Sequence, residues 1–540
     1  MPMLNYDGTR TPLKTVLFIV VCAAWLLPGL VGHDPWKLDE AVAFGMVAEI
    51  LRTGDWILFK VAGEVYLEKA PLFLWTAAAF AKVFGGIMPL HDAARLASGF
   101  YIALALGLLS LASQALMGER AVRMAVLLLL GCLGLLIRAH EMTTDVAGLA
   151  GISAGLYGLA LALKRPVAGG AATGVAMGLA FLGDGFLPLL MLVALLLILP
   201  LASPAWRTRA HAKTVAVALA CAAPLVVLWP LLLSSRHPGL ASLWLDNATA
   251  LGWGGSGMGL LYYLKILPWY AWPAWPLAAW SVWRARKSLA ERRDLQLPLL
   301  AFVAFFLAAS VFGDAREVNA MPLLLPLAIL GVAELDTLPR GAASALDWFG
   351  MTTFFLFALL LWIGWGAAIT GKPEFAAAWL QKEVPGFTYK FSFLAFALAA
   401  LLTSVWVAVA ARSLRSTRRA IVNWTAGITM VWMLVMTLGV PLVDQARSYR
   451  LVSSRLARAM PNMNFVCMAR LNVGDAQRAL LSYFVNLQTV PLDSPAAGRC
   501  RALLVQTSPL RVPEIPSGWR ERWRGSRPGD RNELFILYIR

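Results

Sequence analysis

Asp39 and Glu40 stand side by side directly behind the first long apolar run, and Lys69 follows in a Glu68-Lys69-Ala70-Pro71 turn. Carboxylates and a lysine this close to a bilayer are costly unless they are paired or open to water, so they are candidates for a functional site. Asp39 has the chemistry of a general base that accepts the proton of an acceptor hydroxyl. Its neighbour Glu40 could shape the acceptor site. Asp145, shortly after Arg138-Ala139-His140-Glu141, offers a second carboxylate that could flank the same reacting centre. All three acids also suit the first turn of a helix, where they satisfy free N–H groups and oppose the dipole. Both roles stay open at this point.

Lys69, Arg95, Arg138 and Arg316 are cations at the ends of apolar runs on one side of the membrane. Fixed cations at headgroup depth can bind a lipid phosphate; the competing role is snorkelling to headgroups, which is the expectation for Arg95. Lys69 leads as a phosphate ligand because Glu68 and Pro71 fix its surroundings. Tyr66, His140, Glu141, Trp269 and Tyr270 are candidates for the acceptor site or its groove. The last two belong to KILPWYAWPAWP, residues 265–276, whose prolines and aromatics could kink a helix beside a lipid groove or form an aromatic belt. His33, His91, His140 and His237 share one side of the membrane, but no helical His-x-x-x-His spacing exists. No cofactor is expected, although a divalent metal stays open.

The elements that position these residues are membrane helices. The chain has 540 residues, 59% of them apolar and 14% charged, with mean hydropathy +0.68. Repeated apolar runs of about 18 residues or more read as spans. Thirteen are expected, at 15–32, 96–117, 122–137, 145–163, 167–183, 185–202, 214–234, 261–283, 295–312, 320–338, 348–370, 391–411 and 421–441. The net charge of +17 fits the positive-inside rule and anionic headgroups, and no nucleic-acid motif accompanies it. With the N-terminus inside, the cytoplasmic loops collect most of the arginines, including Arg284, Arg286, Arg292 and Arg293. The opposite loops hold few, among them Arg138, Arg236 and Arg316. The first span reads as retained rather than cleaved, and an odd span count places the C-terminal tail outside.

Residues 1–441 therefore read as a transmembrane domain. Its first external loop, 33–95, carries two helices, Ala41 to Leu51 and Leu72 to Phe84, expected to lie along the membrane surface. Residues 442–540 hold 15 Arg and no Lys and read as a small α/β domain. Strands are expected at Asn464 to Ala469, Arg501 to Gln506 and Glu533 to Ile539, with a helix from Gly474 to Asn486. Cys467 and Cys500 both fall in this tail, as a disulfide or as two free thiols. Cys22, Cys132 and Cys221 read as packing residues.

The ordered set Asp39-Glu40, Gly54-Asp55-Trp56, Gly63 to Pro71, Ala94-Arg95-Leu96, Thr144-Asp145, Gly178 to Leu182 and Arg316 through Pro326 resembles the GT-C fold glycosyltransferases that use polyprenyl-phosphate sugars. The resemblance is to the aminoarabinose (lipid A) transferase-like branch, related to the protein O-mannosyltransferases. It implies a periplasm-facing site in a bacterial inner membrane and inverting transfer from an undecaprenyl-phosphate-linked sugar to a lipid, glycan or protein. It also implies that Asp39 is the catalytic carboxylate, that Asp145 assists, and that Lys69 contacts the donor phosphate. Four places depart from that branch. Ala41 to Phe44 replace an Arg-Tyr, Ala70-Pro71 replaces a proline pair, Gly183-Asp184-Gly185 stands where a Lys-Gly is common, and Asn319 replaces an aromatic. A transporter of lipid-linked saccharides and a non-catalytic polyprenyl-lipid binder are the competing readings. Transporters more often carry polar residues at mid-membrane and repeat symmetry, whereas here the polar groups gather at one lip.

Overall fold

The computed structural model describes all residues except 1–11, 37, 251–257, 413–416, 461–466, 512 and 516. The helices are α1 (Pro12–Leu26), α2 (Leu38–Thr53), α3 (Pro71–Phe84), α4 (Leu90–Met117), α5 (Glu119–Leu130), α6 (Leu133–Leu136), α7 (Asp145–Ala162), α8 (Pro166–Asp184), α9 (Phe186–Ala202), α10 (Arg209–Arg236) and α11 (Pro238–Ala250). They continue with α12 (Met258–Tyr270), α13 (Ala274–Ala285), α14 (Arg293–Phe312), α15 (Met321–Ala333), α16 (Arg340–Thr370), α17 (Glu374–Glu383), α18 (Phe393–Arg412), α19 (Arg419–Leu434), α20 (Val440–Arg447), α21 (Arg450–Arg458) and α22 (Asp475–Val485).

Among the described residues, eight helices are long and apolar enough to cross a membrane, and the bent pair α5 and α6 makes nine. Four shorter apolar helices, Thr15–Leu26, Pro71–Phe84, Phe186–Ala202 and Glu317–Ala333, fall below that length. The chain is a multi-pass membrane protein. Two of the thirteen expected spans are broken rather than continuous. Residues 122–137 bend by 71° between α5 and α6, and 261–283 divides at residues 271–273 into α12 and α13. The cause of the second break is legible, since Pro268, Pro273 and Pro276 deny the helix its amide donors.

Helices α7 and α8 approach closely because both are rich in glycine and alanine. A Cβ on Gly151 would sit 2.6 Å from the Ala180 backbone, and one on Gly158 would sit 2.6 Å from that of Thr173. Small residues of this kind let membrane helices pack backbone to backbone. The consequence for the site is that the start of α7 meets the end of α8, with Asp184 packed beside Gly148.

A short hairpin, β1 (Lys60–Val61) with β2 (Glu64–Val65), decorates the first loop. The tail forms a five-stranded sheet from β3 (Met468–Leu471), β4 (Thr489–Pro491), β5 (Ala502–Thr507), β6 (Arg520–Gly525) and β7 (Leu534–Ile539), in the order β4-β3-β5-β7-β6. β3 runs parallel to β4 and β5, and β7 runs antiparallel to β5 and β6. The two strands absent from the sequence expectation, β4 and β6, are the sheet edges. β6 reads RERWRG, and charge on an edge strand deters further pairing but erases the apolar alternation that marks a strand. Cys467 and Cys500 form a disulfide with a Cα–Cα distance of 4.9 Å.

Helix α2 is not a free surface helix. It lies between the membrane bundle and α22 and buries residues along most of its length, from Glu40 to Ile50. The contact with α22 requires a glycine, because a Cβ on Gly45 would lie 2.6 Å from the Ala479 Cβ.

Candidate active site

Two neighbouring carboxylates have opposite environments. Glu40 is 2% exposed, and its Oε1 accepts a 2.6 Å hydrogen bond from Arg95 Nε. Arg95 is fully buried and also donates to Asp92 at 2.9 Å and to the carbonyls of Leu30 and His33. The expectation that Arg95 snorkels is therefore wrong. Its partners saturate it inside the protein, because a buried guanidinium left unpaired would be expensive. Burial alone would raise the Glu40 carboxyl, yet the Arg95 charge and the hydrogen bonds of Arg95 and Trp36 hold it below the ordinary range. Glu40 is thus a brace of the segment before Asp39, not a group exposed to substrate.

The same segment is held from the far end of the chain. Asp444 Oδ1 accepts from the Asp34 amide at 3.0 Å and from Trp36 Nε1 at 2.7 Å. Asp34 in turn takes Arg450 in a bidentate pair at 2.9 and 2.5 Å and Ser448 Oγ at 2.6 Å. These contacts hold Asp34 and Trp36 from one side and Glu40 from the other.

Asp39, by contrast, is one-third exposed and is paired with Arg316 Nη2 at 2.7 Å. Arg316 comes from the loop between α14 and α15 and lies in the fields of Asp39, Asp145 and Arg138. Asp145 opens α7. Asp184 closes α8, accepts 2.8 Å from Thr144 Oγ1, and is acted on by the charges of Asp145, Lys69 and Arg316. Asp39, Lys69, Asp145, Asp184 and Arg316 therefore meet at one end of the bundle. Lys69 makes no hydrogen bond or ion pair among the described residues. Asp145, Asp184 and Asn319 share a small pocket closed by Leu187, Met191 and Pro322. Two of the places that depart from the resembled branch, Asp184 and Asn319, thus line one space. In the sequence Asp184 stands out only as a departure from the resembled branch, because a lone acid between two glycines has no spacing that points to Asp145.

Above Asp39 a cleft of about 800 Å³ opens between the bundle and the tail. Arg138 lines it, paired with Glu141 at 2.9 Å and with Glu317 at 3.7 Å. Tyr66 donates to Glu68 at 2.9 Å, and burial together with that carboxylate raises its phenol. His140 does not face the cleft. It is buried between Trp25 and Trp432, and its two ring nitrogens meet the carbonyls of Leu136 and Trp25. Tyr270 is buried against Gly134 and Trp269 is half exposed, and neither lines the cleft or the small pocket. Among the described residues no group of three His, Cys, Asp or Glu could hold a metal ion.

Residues 68–229 match the family model described as dolichyl-phosphate-mannose-protein mannosyltransferase. No curated protein matches by sequence. Over the whole chain, the structure is similar to two crystal structures of ArnT from Cupriavidus metallidurans. One is bound to undecaprenyl phosphate (18% identity, TM-score 0.70, covering 98% of this chain and 98% of that one). The other is in the apo state (18% identity, TM-score 0.70, covering 97% and 98%). The fold is the GT-C fold, as the resemblance in the sequence implies.

Proposed function

We propose that the chain transfers a sugar, with inversion, from an undecaprenyl-phosphate-linked donor to an acceptor hydroxyl. The observation that carries this reading is the cluster at one end of the bundle: Asp39 against Arg316, with Lys69, unpaired among the described residues, near Asp184 and Asp145. The likeness to ArnT, solved with undecaprenyl phosphate, supports the choice of donor lipid.

The acceptor oxygen attacks the anomeric carbon while Asp39 takes its proton, and the bond from that carbon to the phosphate oxygen breaks. The departing phosphate is already ionised at neutral pH. Cations fixed where its charge grows, Lys69 and Arg316, stabilise it without a protein acid. The Asp39–Arg316 pair is half exposed, and such pairs contribute about 0–1 kcal/mol. An arriving phosphate therefore draws Arg316 away at little cost and frees Asp39 as the base. The charges of Asp145 and Asp184 act on this cationic end of the site. The arginine-poor loops at this end and the tail disulfide support a site on the periplasmic side of an inner membrane.

The test is mass spectrometry of envelope lipids, glycans and proteins from a strain lacking the gene, complemented with wild type or Asp39→Asn. A hexose-, pentose- or amino-sugar-sized mass restored by wild type and not by Asp39→Asn supports transfer. Restoration by both would overturn the role of Asp39.

A further inference from the structure

The loop between α16 and α18 lies on the tail's side of the bundle and lines neither the cleft nor the small pocket. Residues 371–393 read GKPEFAAAWLQKEVPGFTYKFSF. The short loops on the same side, 138–145, 235–260 and 313–319, hold no lysine, whereas this one holds Lys372, Lys382 and Lys390. Lysine is depleted on the cation-poor side of a membrane protein, so three in one loop point to a local anionic partner. All three are exposed, and their ammonium groups make no hydrogen bond or ion pair among the described residues.

Helix α17 within this loop has two faces. Leu380 is buried, and Val384 and Phe387 continue that inner face beyond the helix. Phe375, Trp379 and Lys382, at spacings of four and three, form a stripe turned away from it. Phe375 is 74% exposed and Trp379 59%. The acids Glu374 and Glu383 fall to either side of the stripe, so Lys382 is the charge beside the rings. Phe391 and Phe393 are exposed next to Lys390.

The level of α17 in a bilayer follows from α16. Exposed Trp348 stands near one end of α16. Trp362 and Trp365 stand near the other, where Trp365 meets Tyr389, Phe391 and Phe396. Aromatic groups of this kind mark the two membrane interfaces. Trp348 and Trp365 are separated by about 26 Å of helix, close to the ~30 Å of a hydrocarbon core. The end of α16 at Thr370 lies about 8 Å further out, in the headgroup layer, and α17 begins there. Exposed aromatic rings at that depth bury among lipids, and lysines there reach phosphates.

The element also meets the tail. Gly529, in the loop between β6 and β7, has φ +76°, and a Cβ on it would overlap the Glu383 carbonyl oxygen. The same loop carries Arg527 and Asp530, which line the cleft.

We infer that residues 371–393 are a membrane-surface docking element that binds anionic phospholipid headgroups. Phe375 and Trp379 insert among the lipids, Lys372, Lys382 and Lys390 take the phosphates, and the tail loop rests on top. A soluble protein partner would need the aromatic stripe in water, and the level of α16 places it in lipid. The inference stands apart from the glycosyl-transfer reading and is tested without turnover.

The experiment uses the full chain with p-azidophenylalanine in place of Phe375 or of Trp379, in nanodiscs of phosphatidylcholine and phosphatidylglycerol in equal amounts. Adducts formed on illumination are identified by mass spectrometry. Lipid adducts are expected at both positions, with phosphatidylglycerol in excess on the order of tenfold. With Lys372→Gln, Lys382→Gln and Lys390→Gln combined, lipid adducts should remain and the excess should fall to near parity. Wild-type affinity for undecaprenyl phosphate shows that this variant is folded. High salt on the chain with its lysines intact should erase the excess as well, which keeps the test independent of the variant's folding. Absence of lipid adducts, or adducts to a second copy of the chain in their place, overturns the docking. Equal adducts of the two lipids with the lysines intact at low salt, or an excess that survives high salt, overturns the headgroup recognition.

Discussion

Glu40 and Asp39 are adjacent in sequence and divide the molecule's polar chemistry between them. Glu40 belongs to a clasp, buried except at Arg450, in which Arg95, Asp92, Asp34, Arg450 and Asp444 join the first loop to the end of the last span and the start of the tail. Asp39 belongs to an open lip where it pairs with half-exposed Arg316 and where Lys69 has no hydrogen bond or ion pair among the described residues. The clasp is closely paired and buried around Glu40 and Arg95, and the lip around Asp39 and Arg316 is half solvated. In the proposed mechanism, positioning by Glu40 and chemistry at Asp39 are separated by a single residue.

The two regions should therefore respond in opposite ways to substitution. The largest effect on stability is expected from Arg95→Ala, which strands Glu40 and Asp92 as buried charges. Removing one partner of such a pair costs about 3–5 kcal/mol, visible as a large fall in the unfolding midpoint in detergent. An unchanged midpoint would mean that the clasp is ornamental. Asp39→Asn should do the reverse. Loss of a general base lowers turnover by about 10²–10⁴-fold, while the midpoint stays close to wild type because an exposed pair contributes little.

Acid should weaken the clasp. Glu40 and Asp34 both have folded-state values held below their ordinary 4.5 and 3.8. Groups depressed in this way contribute full stability above those unfolded values, and that contribution is lost as pH falls through the lower folded values. The Glu40 and Asp34 share of the thermal midpoint, read as the difference between wild type and variants of these residues, should be flat above pH 4.5 and fall below it. In Arg95→Ala the fall should be shallower, since the charge that depresses Glu40 is gone. A smaller change is expected of Arg316→Ala. It should reduce turnover more mildly than Asp39→Asn, because Lys69 still faces the phosphate, and it should leave the midpoint nearly unaltered.

The sequence made some of this division visible. The acid pair, Asp145, Lys69 and Arg316 could be named because charge at a membrane edge is conspicuous against long apolar runs. The structure brings Asp39, Asp145, Lys69 and Arg316 together and places Glu40 in the clasp instead. The helices α2 and α3 were legible from apolar spacing, but burial of α2 under the tail was not, because Gly45 announces a close approach only once Ala479 is opposite it. Arg95 and His140 were misread for one reason. A lone polar residue at the end of a span looks the same whether it faces headgroups or carbonyls such as those of Leu30 and Trp25. The tail wall of Gln477, Gln506 and Glu533 was invisible, since these residues converge from a helix and two loop-flanked strands.

The central claim is that Lys69 stands at the donor phosphate, and affinity for undecaprenyl phosphate in nanodiscs measures it most directly. A charged hydrogen bond contributes on the order of 1.5–3 kcal/mol, roughly ten- to a hundred-fold in affinity. Lys69→Ala should show a loss of that size, and Lys69→Arg should recover part of it, since charge returns without the same geometry. Wild-type affinity in Lys69→Ala would contradict the assignment and move the donor site to the arginines of the lip, Arg138 and Arg316.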